Sequence, residues 1–295
     1  MLLMRNIKLV LAYDGTDYFG WERQKEFRSL QQTLEEAIQS LTGETVSAVA
    51  SGRTDTGVHA IGQVANFHTN SRHDGATIRR ALNALLPDDF RVLEVEEADE
   101  SFHATYAAKG KLYRYAMHDG PVMDPFLRRH VVHCNWPMDN AAMHRAAQCL
   151  MGTHDFSSFE TAGAPRESSV RTITHIAVFR AGPERIWSRS AFSHQHSAIS
   201  NSQFLFLEIA ADGFLYNMVR AIAGTLRNVG RGYTTEDSVP QILEAKDRAK
   251  AGPTLKKMEA GVRRDAFTYL LVLRLVPLFP FFLVNLVSGL TRVPL

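Results

Sequence analysis

The sequence predicts a mixed α+β fold built in two halves. Three observations carry this expectation. Alternating and amphipathic runs succeed one another as strand, helix, strand, strand, helix, strand from Ile7 to Ala98. A similar succession of runs follows in the second half. Ala12-Tyr13-Asp14-Gly15 is echoed by Met117-His118-Asp119-Gly120, which hints at a duplicated unit.

Each element has its own local reason. From Ile7 to Tyr13, Ile7, Leu9 and Leu11 alternate with Lys8, Val10 and Ala12, and Asp14-Gly15 supplies turn chemistry. Ser29 to Leu41 places Leu30, Leu34, Ile38 and Leu41 on one helical stripe, and Gly43 reads as the C-cap. Val46 to Ala50 reads as a short strand, Ser51 to Ala60 as a loop and Gly62 to His68 as a strand. Ala76 to Leu86 is a second helix closed by Pro87, and Arg91 to Ala98 alternates as a strand. That order is the ferredoxin-like one. In the second half, Lys111 to His118, Val170 to Phe179, Ile186 to Ala191 and Phe204 to Ala210 read as strands. Asp139 to Met151 and Phe214 to Val229 read as helices, the latter stopped by Gly230. The expected organisation is one half over 5–105, a second over 106–275, and an apolar tail over 276–295.

The tail carries no charge from Leu275 to Thr291. It is shorter than the roughly 20 residues that span a bilayer, and Pro277, Pro280 and Asn285 interrupt it. It reads as a terminal strand with an extension, and no membrane partner is expected. Met1 to Arg5 hold no apolar run long enough for a signal peptide.

With 295 residues, 45% hydrophobic, the chain can bury a large core, and its formal net charge is only +2. A nucleic-acid surface would therefore come from local clusters: Arg79–Arg80, Lys109–Lys111–Arg114, Arg128–Arg129–His130 and Arg263–Arg264. Taken singly, each reads as an ordinary solvated face. The two cysteines, Cys134 and Cys149, form no Cys-x-x-Cys pair, which argues against a zinc ribbon or redox motif. Such sparse usage suits a reducing cytosol, so a cytoplasmic location is expected. His194 and His196 share a strand face but lack a third ligand, so no metal is expected. Tyr18, Phe19 and Trp21 read as core or hinge packing before RNA stacking, and His59 reads equally as a site residue or a satisfied structural histidine.

The segment richest in chemistry is Gly52-Arg53-Thr54-Asp55-Thr56-Gly57-Val58-His59-Ala60. Its glycines permit sharp backbone geometry, which lets a short acidic side chain project from between two strands. It is no phosphate loop, because Gly-Lys-Ser/Thr is missing. An isolated Gly-Arg-x-Asp would read as a surface turn with an ion pair. The full nine-residue string resembles the signature of the tRNA pseudouridine synthase A (TruA) family. Further segments agree in order: Tyr13-Asp14-Gly15-Thr16 with Tyr18, Gly20 and Trp21; Phe102-His103-Ala104 with Ala108-Lys109-Gly110 and Tyr113-Arg114-Tyr115; Gly152 to Phe159; Val170 to Ile173; Asp212 to Arg220; Gly224 to Leu226; and Val229 to Gly232. The resemblance runs from Ile7 to Thr254.

The resemblance implies the pseudouridine synthase fold, with antiparallel sheets flanking a central active-site cleft. It implies a cofactor-free isomerase that converts uridine to pseudouridine in the anticodon stem-loop of tRNA, at tRNA positions 38 to 40, and that works as a homodimer. It makes Asp55 the essential carboxylate. It makes Arg53 the arginine that draws the base from its stack, Tyr113 the ring that packs on uracil, and Arg220 the basic partner of the carboxylate. Arg79, Arg80 and Lys109 are the cations expected to meet the RNA. The chemistry suits those residue types. A carboxylate can add to the base, add to the sugar C1′, or assist proton removal from C2′, and the sequence does not choose among them. Unstacking the target costs a few kcal/mol, and an aromatic face returns about 1–3 kcal/mol per base.

The likeness stops after Ala251-Gly252-Pro253-Thr254. Leu255-Lys256-Lys257-Met258 departs from the alanine, proline and Gly-Leu-x-Leu strand that the family carries there. Either Phe267 to Leu275 substitutes as that strand, or the reading frame has shifted near Thr254. The altered terminus favours a second class of reading, a non-catalytic tRNA-binding or RNA-remodelling protein. The intact nine-residue motif favours the enzyme.

Overall fold

Alternation in the first apolar run does form a strand, β1 (Arg5–Tyr13), and it lies in the middle of a sheet. The computed structural model describes residues 4–161, 168–189, 202–246 and 281–286. These form two compact units, one holding residues up to 111 together with 281–286, the other the described residues from 112 to 246.

In the first unit the elements are β1, α1 (Leu30–Thr42), β2 (Val49–Ala50), β3 (Val58–Thr69), α2 (Gly75–Leu85), β4 (Phe90–Ala98) and α3 (Ala104–Ala107). β1 pairs antiparallel with β3, from Arg5↔Thr69 to Tyr13↔Ala60, and on its other side with β4, from Asn6↔Ala98 to Tyr13↔Phe90. β2 pairs antiparallel with β3. The order β4-β1-β3-β2 is what a split βαβ pair produces, because each helix carries the chain across an intervening strand. β1 is covered on both faces, so Ile7, Leu9 and Leu11 are fully buried and Lys8 and Val10 nearly so.

Both helices start and stop for local reasons. The Ser29 hydroxyl accepts a hydrogen bond from the Gln32 amide (3.2 Å), and Gly43 ends α1 at φ 75°. Asp74 caps α2 in the same way through Thr77. Two predicted boundaries move. The strand predicted over Val46 to Ala50 shrinks to two residues, and β3 begins at Val58, inside the predicted loop. α3 is too short to show a helical period in the sequence.

A late strand, β10 (Phe281–Leu286), pairs parallel with β3 over Val58 to Gly62. The uncharged tail thus supplies a strand. The alternative strand Phe267 to Leu275 lies outside the described residues, as do Arg263, Arg264, His194 and His196.

The second unit contains β5 (Gly110–His118), β6 (Val132–His133), α4 (Asn140–Ala147), β7 (Gly152–Asp155), β8 (Val170–Arg180), β9 (Phe204–Ala211), α5 (Met218–Gly230) and α6 (Ser238–Ala245). Its strands lie in the order β7-β8-β9-β5, with β6 parallel to the end of β5. Two predictions are corrected. The strand predicted over Ile186 to Ala191 does not form in its described part. Ile186 and Trp187 end a 3-10 turn, Pro183–Trp187, in which the Arg185 and Ser188 amides donate to the carbonyls of Gly182 and Arg185, and Ser190 and Ala191 lie outside the described residues. The helix predicted from Phe214 starts at Met218, because Asn217 takes the left-handed conformation (φ 59°) and breaks the helical path. β7 and α6 were not predicted. Among the described residues no helix is long and apolar enough to cross a membrane.

Candidate active site

The loop from Ser51 to Gly57 is held by its backbone and by the side chains that point inward. At its start, the Ser51 amide donates to the Val64 carbonyl (2.8 Å), and the Gln63 side-chain amide donates to the Gly52 carbonyl (2.6 Å). In its middle, the Trp21 amide donates to the Thr54 carbonyl (2.9 Å), and the Thr54 hydroxyl meets the Tyr13 phenol (3.0 Å). At its end, the Val58 amide donates to the Asp55 carbonyl (3.1 Å), and Gly57 turns at φ 77°. Gly20 packs so closely that a Cβ there would lie 2.6 Å from the Thr54 carbonyl oxygen.

The consequence is an alternation of sides. Thr54 is buried, while Arg53 and Asp55 on either side of it are exposed. Arg53 pairs with Glu22 at 2.7 Å, with both side chains largely in solvent. An exposed pair of that kind contributes ~0–1 kcal/mol, so it does not lock the arginine in place. The loop therefore presents an acid and a base outward on a backbone that is fixed from behind.

His59 follows as a buried residue of β3, with Nδ1 3.0 Å from an Asp14 carboxylate oxygen. Burial works against ionisation of Asp14, but the close His59 and the hydrogen bonds from the Thr16 amide and hydroxyl outweigh it and hold the carboxyl below its usual range. His59 is thus a buried, partnered histidine directly after the Asp55 loop. Tyr18 and Trp21 are likewise buried, and Phe19 stacks on Phe27 at 4.2 Å, so these rings are packing residues.

In the second unit, Tyr113 sits half-buried in β5 with its ring edge-on to Phe214 (4.9 Å). Arg220 is the third residue of α5 and half-exposed. The turn between Phe214 and α5 is fastened by the Met218 amide on the Leu215 carbonyl (3.1 Å) and by the Asn217 side chain on the Thr161 hydroxyl (3.2 Å). Asparagine is among the few residues other than glycine that take the left-handed conformation readily, which lets it turn the chain at the entry of the helix that carries Arg220.

The basic clusters divide. Arg79 and Arg80 on α2, Lys109, and Arg128 and Arg129 are exposed. Arg114 does not belong with them: it is fully buried. Its Nε donates to Glu208 (2.7 Å), and one Nη donates to the carbonyls of Arg185 and Ser188. Arg185 binds the same carboxylate. In the pleated strand Tyr113 and Arg114 face opposite ways, which a list of nearby cations does not reveal. Glu208 and Arg185 were not singled out from the sequence. The signal was a lone acid inside the apolar run Phe204 to Ala211, since an acid there needs a buried partner.

A mixed α+β chain carrying an outward aspartate on a glycine-bounded loop between two strands has the fold class of the pseudouridine synthases. A family model described as tRNA pseudouridine synthase matches residues 9–107 and 146–261. The chain belongs to the tRNA pseudouridine synthase family. It is similar to the tRNA pseudouridine synthase A of Acetivibrio thermocellus, 45% identical over 251 residues, covering 85% of this chain and 95% of that one. It is also similar to the proteins of that name from Thermoanaerobacter sp., 42% identical with the same coverage, and from Clostridium kluyveri, 42% identical over 84% of this chain and 94% of that one.

Proposed function

We propose that this protein isomerises uridine to pseudouridine in tRNA, in the anticodon stem-loop at positions 38 to 40, with Asp55 as the catalytic carboxylate. The observation that carries the proposal is the Gly52 to Ala60 string on a loop whose Thr54 is pinned inward while Arg53 and Asp55 face out. The reaction breaks the N1–C1′ bond, turns the uracil and forms C5–C1′. The proton leaving C5 is balanced by one gained at N1, so no cofactor enters the balance. Arg53 assists extrusion of the base. Tyr113 packs on the uracil ring, and Arg220 serves as the basic partner of a carboxylate, the roles their family positions give them. Arg79, Arg80 and Lys109 are exposed cations suited to backbone phosphates. The working form is a homodimer, as the family resemblance implies, in the reducing cytosol that the sparse cysteines suit.

The test is pseudouridine mapping on unmodified tRNA incubated with the parent protein and with Asp55→Asn. The expected result is modification by the parent, none by the variant, and retained folding and tRNA binding in both. Retention is expected because Asp55 is exposed and most affinity comes from phosphate contacts. Substantial pseudouridine formation by a clean Asp55→Asn preparation would sink the catalytic assignment.

A further inference from the structure

We infer that Tyr106, backed by His103, is a stacking platform for an unpaired base of the RNA substrate beside the Asp55 loop. The inference rests on the tRNA reading above and adds a contact to it. Tyr106 is 85% exposed, the most exposed aromatic among the described residues. A ring left in water gains nothing for the fold, and yet this one is held in a defined pose. It stacks on His103 with centroids 4.3 Å apart and planes 28° from parallel, so one face is backed and the other is open.

The mount beneath the ring is rigid. Ala104 is buried, and its amide donates to the Asn66 side chain (2.9 Å), which itself bonds Asn6 (2.9 Å). The Thr105 hydroxyl donates to the Ala50 carbonyl (2.7 Å), the last residue before the Asp55 loop. The Lys111 side chain also packs closely over the loop: a Cβ on Gly52 would sit 2.7 Å from its ammonium. The platform and the loop therefore share the same supports within one unit.

The chemistry around the ring selects the partner. No acidic residue occurs between Ser101 and His118, and Lys109 is exposed three residues after Tyr106. An exposed aromatic face with an exposed lysine three residues along the chain suits a base joined to a phosphate, and stacking accepts any base because each has a π face. Sequence-specific RNA contacts of this kind reach bases in loops, where they are unstacked.

The experiment measures the affinity of Tyr106→Ala, Tyr106→Phe and the parent for an unmodified tRNA transcript across a salt series, together with the pseudouridine yield of the parent. Tyr106→Ala should bind roughly 5- to 150-fold more weakly, the equivalent of ~1–3 kcal/mol, and Tyr106→Phe within about twofold of the parent. The salt slope should be the parent's for both variants, since no phosphate contact is removed, and unfolding temperatures should not move. Parental affinity in Tyr106→Ala overturns the platform, whatever the parent's yield. Loss of affinity with a changed salt slope overturns it too. Weakened binding by Tyr106→Ala with no pseudouridine from the parent supports the platform and removes the enzyme reading alone.

Discussion

Replacing Glu208 with Gln tests whether the buried triad of Arg114, Arg185 and Glu208 holds the second unit together. The carboxylate accepts from Arg114 Nε (2.7 Å), Arg185 Nε (2.9 Å) and Arg185 Nη2 (2.8 Å), and it is 1% exposed beside a fully buried Arg114. Burial is the largest influence on the Arg114 guanidinium and lowers it; the Glu208 charge opposes that, and the Arg185 charge adds to it. Glu208→Gln would leave two buried cations facing each other and turn an NH2 group toward a guanidinium donor. Removing one partner of a buried pair costs about 3–5 kcal/mol. At about 2–4 °C per kcal/mol for a unit of this size, the midpoint should fall by about 6–20 °C. Urea titrations followed by circular dichroism would measure the loss directly from the shift in midpoint at constant slope. A loss below about 1 kcal/mol, the size of a surface pair, would show that the triad is not the buried device described.

Three further outcomes follow from other parts of the molecule. Tyr113→Phe should keep the contact with Phe214 and the stacking surface, while Tyr113→Ala should weaken engagement of the base; parental turnover in both variants would make Tyr113 a packing residue. Asp119 is opposed in its ionisation by burial, but hydrogen bonds from Arg180 and the Met138 amide, with the Arg180 charge, hold its carboxyl below the usual range. A lowered folded-state pKa contributes stability that is full above the unfolded value of about 3.9 and is lost as pH falls through the folded one. Asp119→Asn should therefore flatten the acid arm of unfolding free energy against pH, and an unchanged acid arm would contradict the assignment. Ser29→Ala should cost about 1 kcal/mol through the lost α1 cap, read as a shift in urea midpoint without loss of tRNA binding.

The features that short stretches encode were legible before the fold was known. β1 follows from residues that alternate, α1 from a stripe closed by Ser29 and Gly43, and the outward Asp55 from glycines that bracket it. These depend on a residue's own backbone preferences and those of its close neighbours, so the chain states them locally. The family strings add to this because they record residues that act together. What the tertiary structure decided depends on partners distant in sequence. Arg114 read as one more cation of a surface cluster until β9 brought Glu208, 94 residues away, against it. Ile186 carried the apolar character of a strand and entered a 3-10 turn that the buried Arg185 side chain fastens to β9. The uncharged tail read only as a terminal strand; its place beside Val58 to Gly62, directly after the Asp55 loop, is a pairing between segments more than two hundred residues apart. A local pattern fixes which conformations a segment prefers. Whether a charge meets water or a buried carboxylate, and which edge a strand completes, is settled only when distant segments compete for the same space.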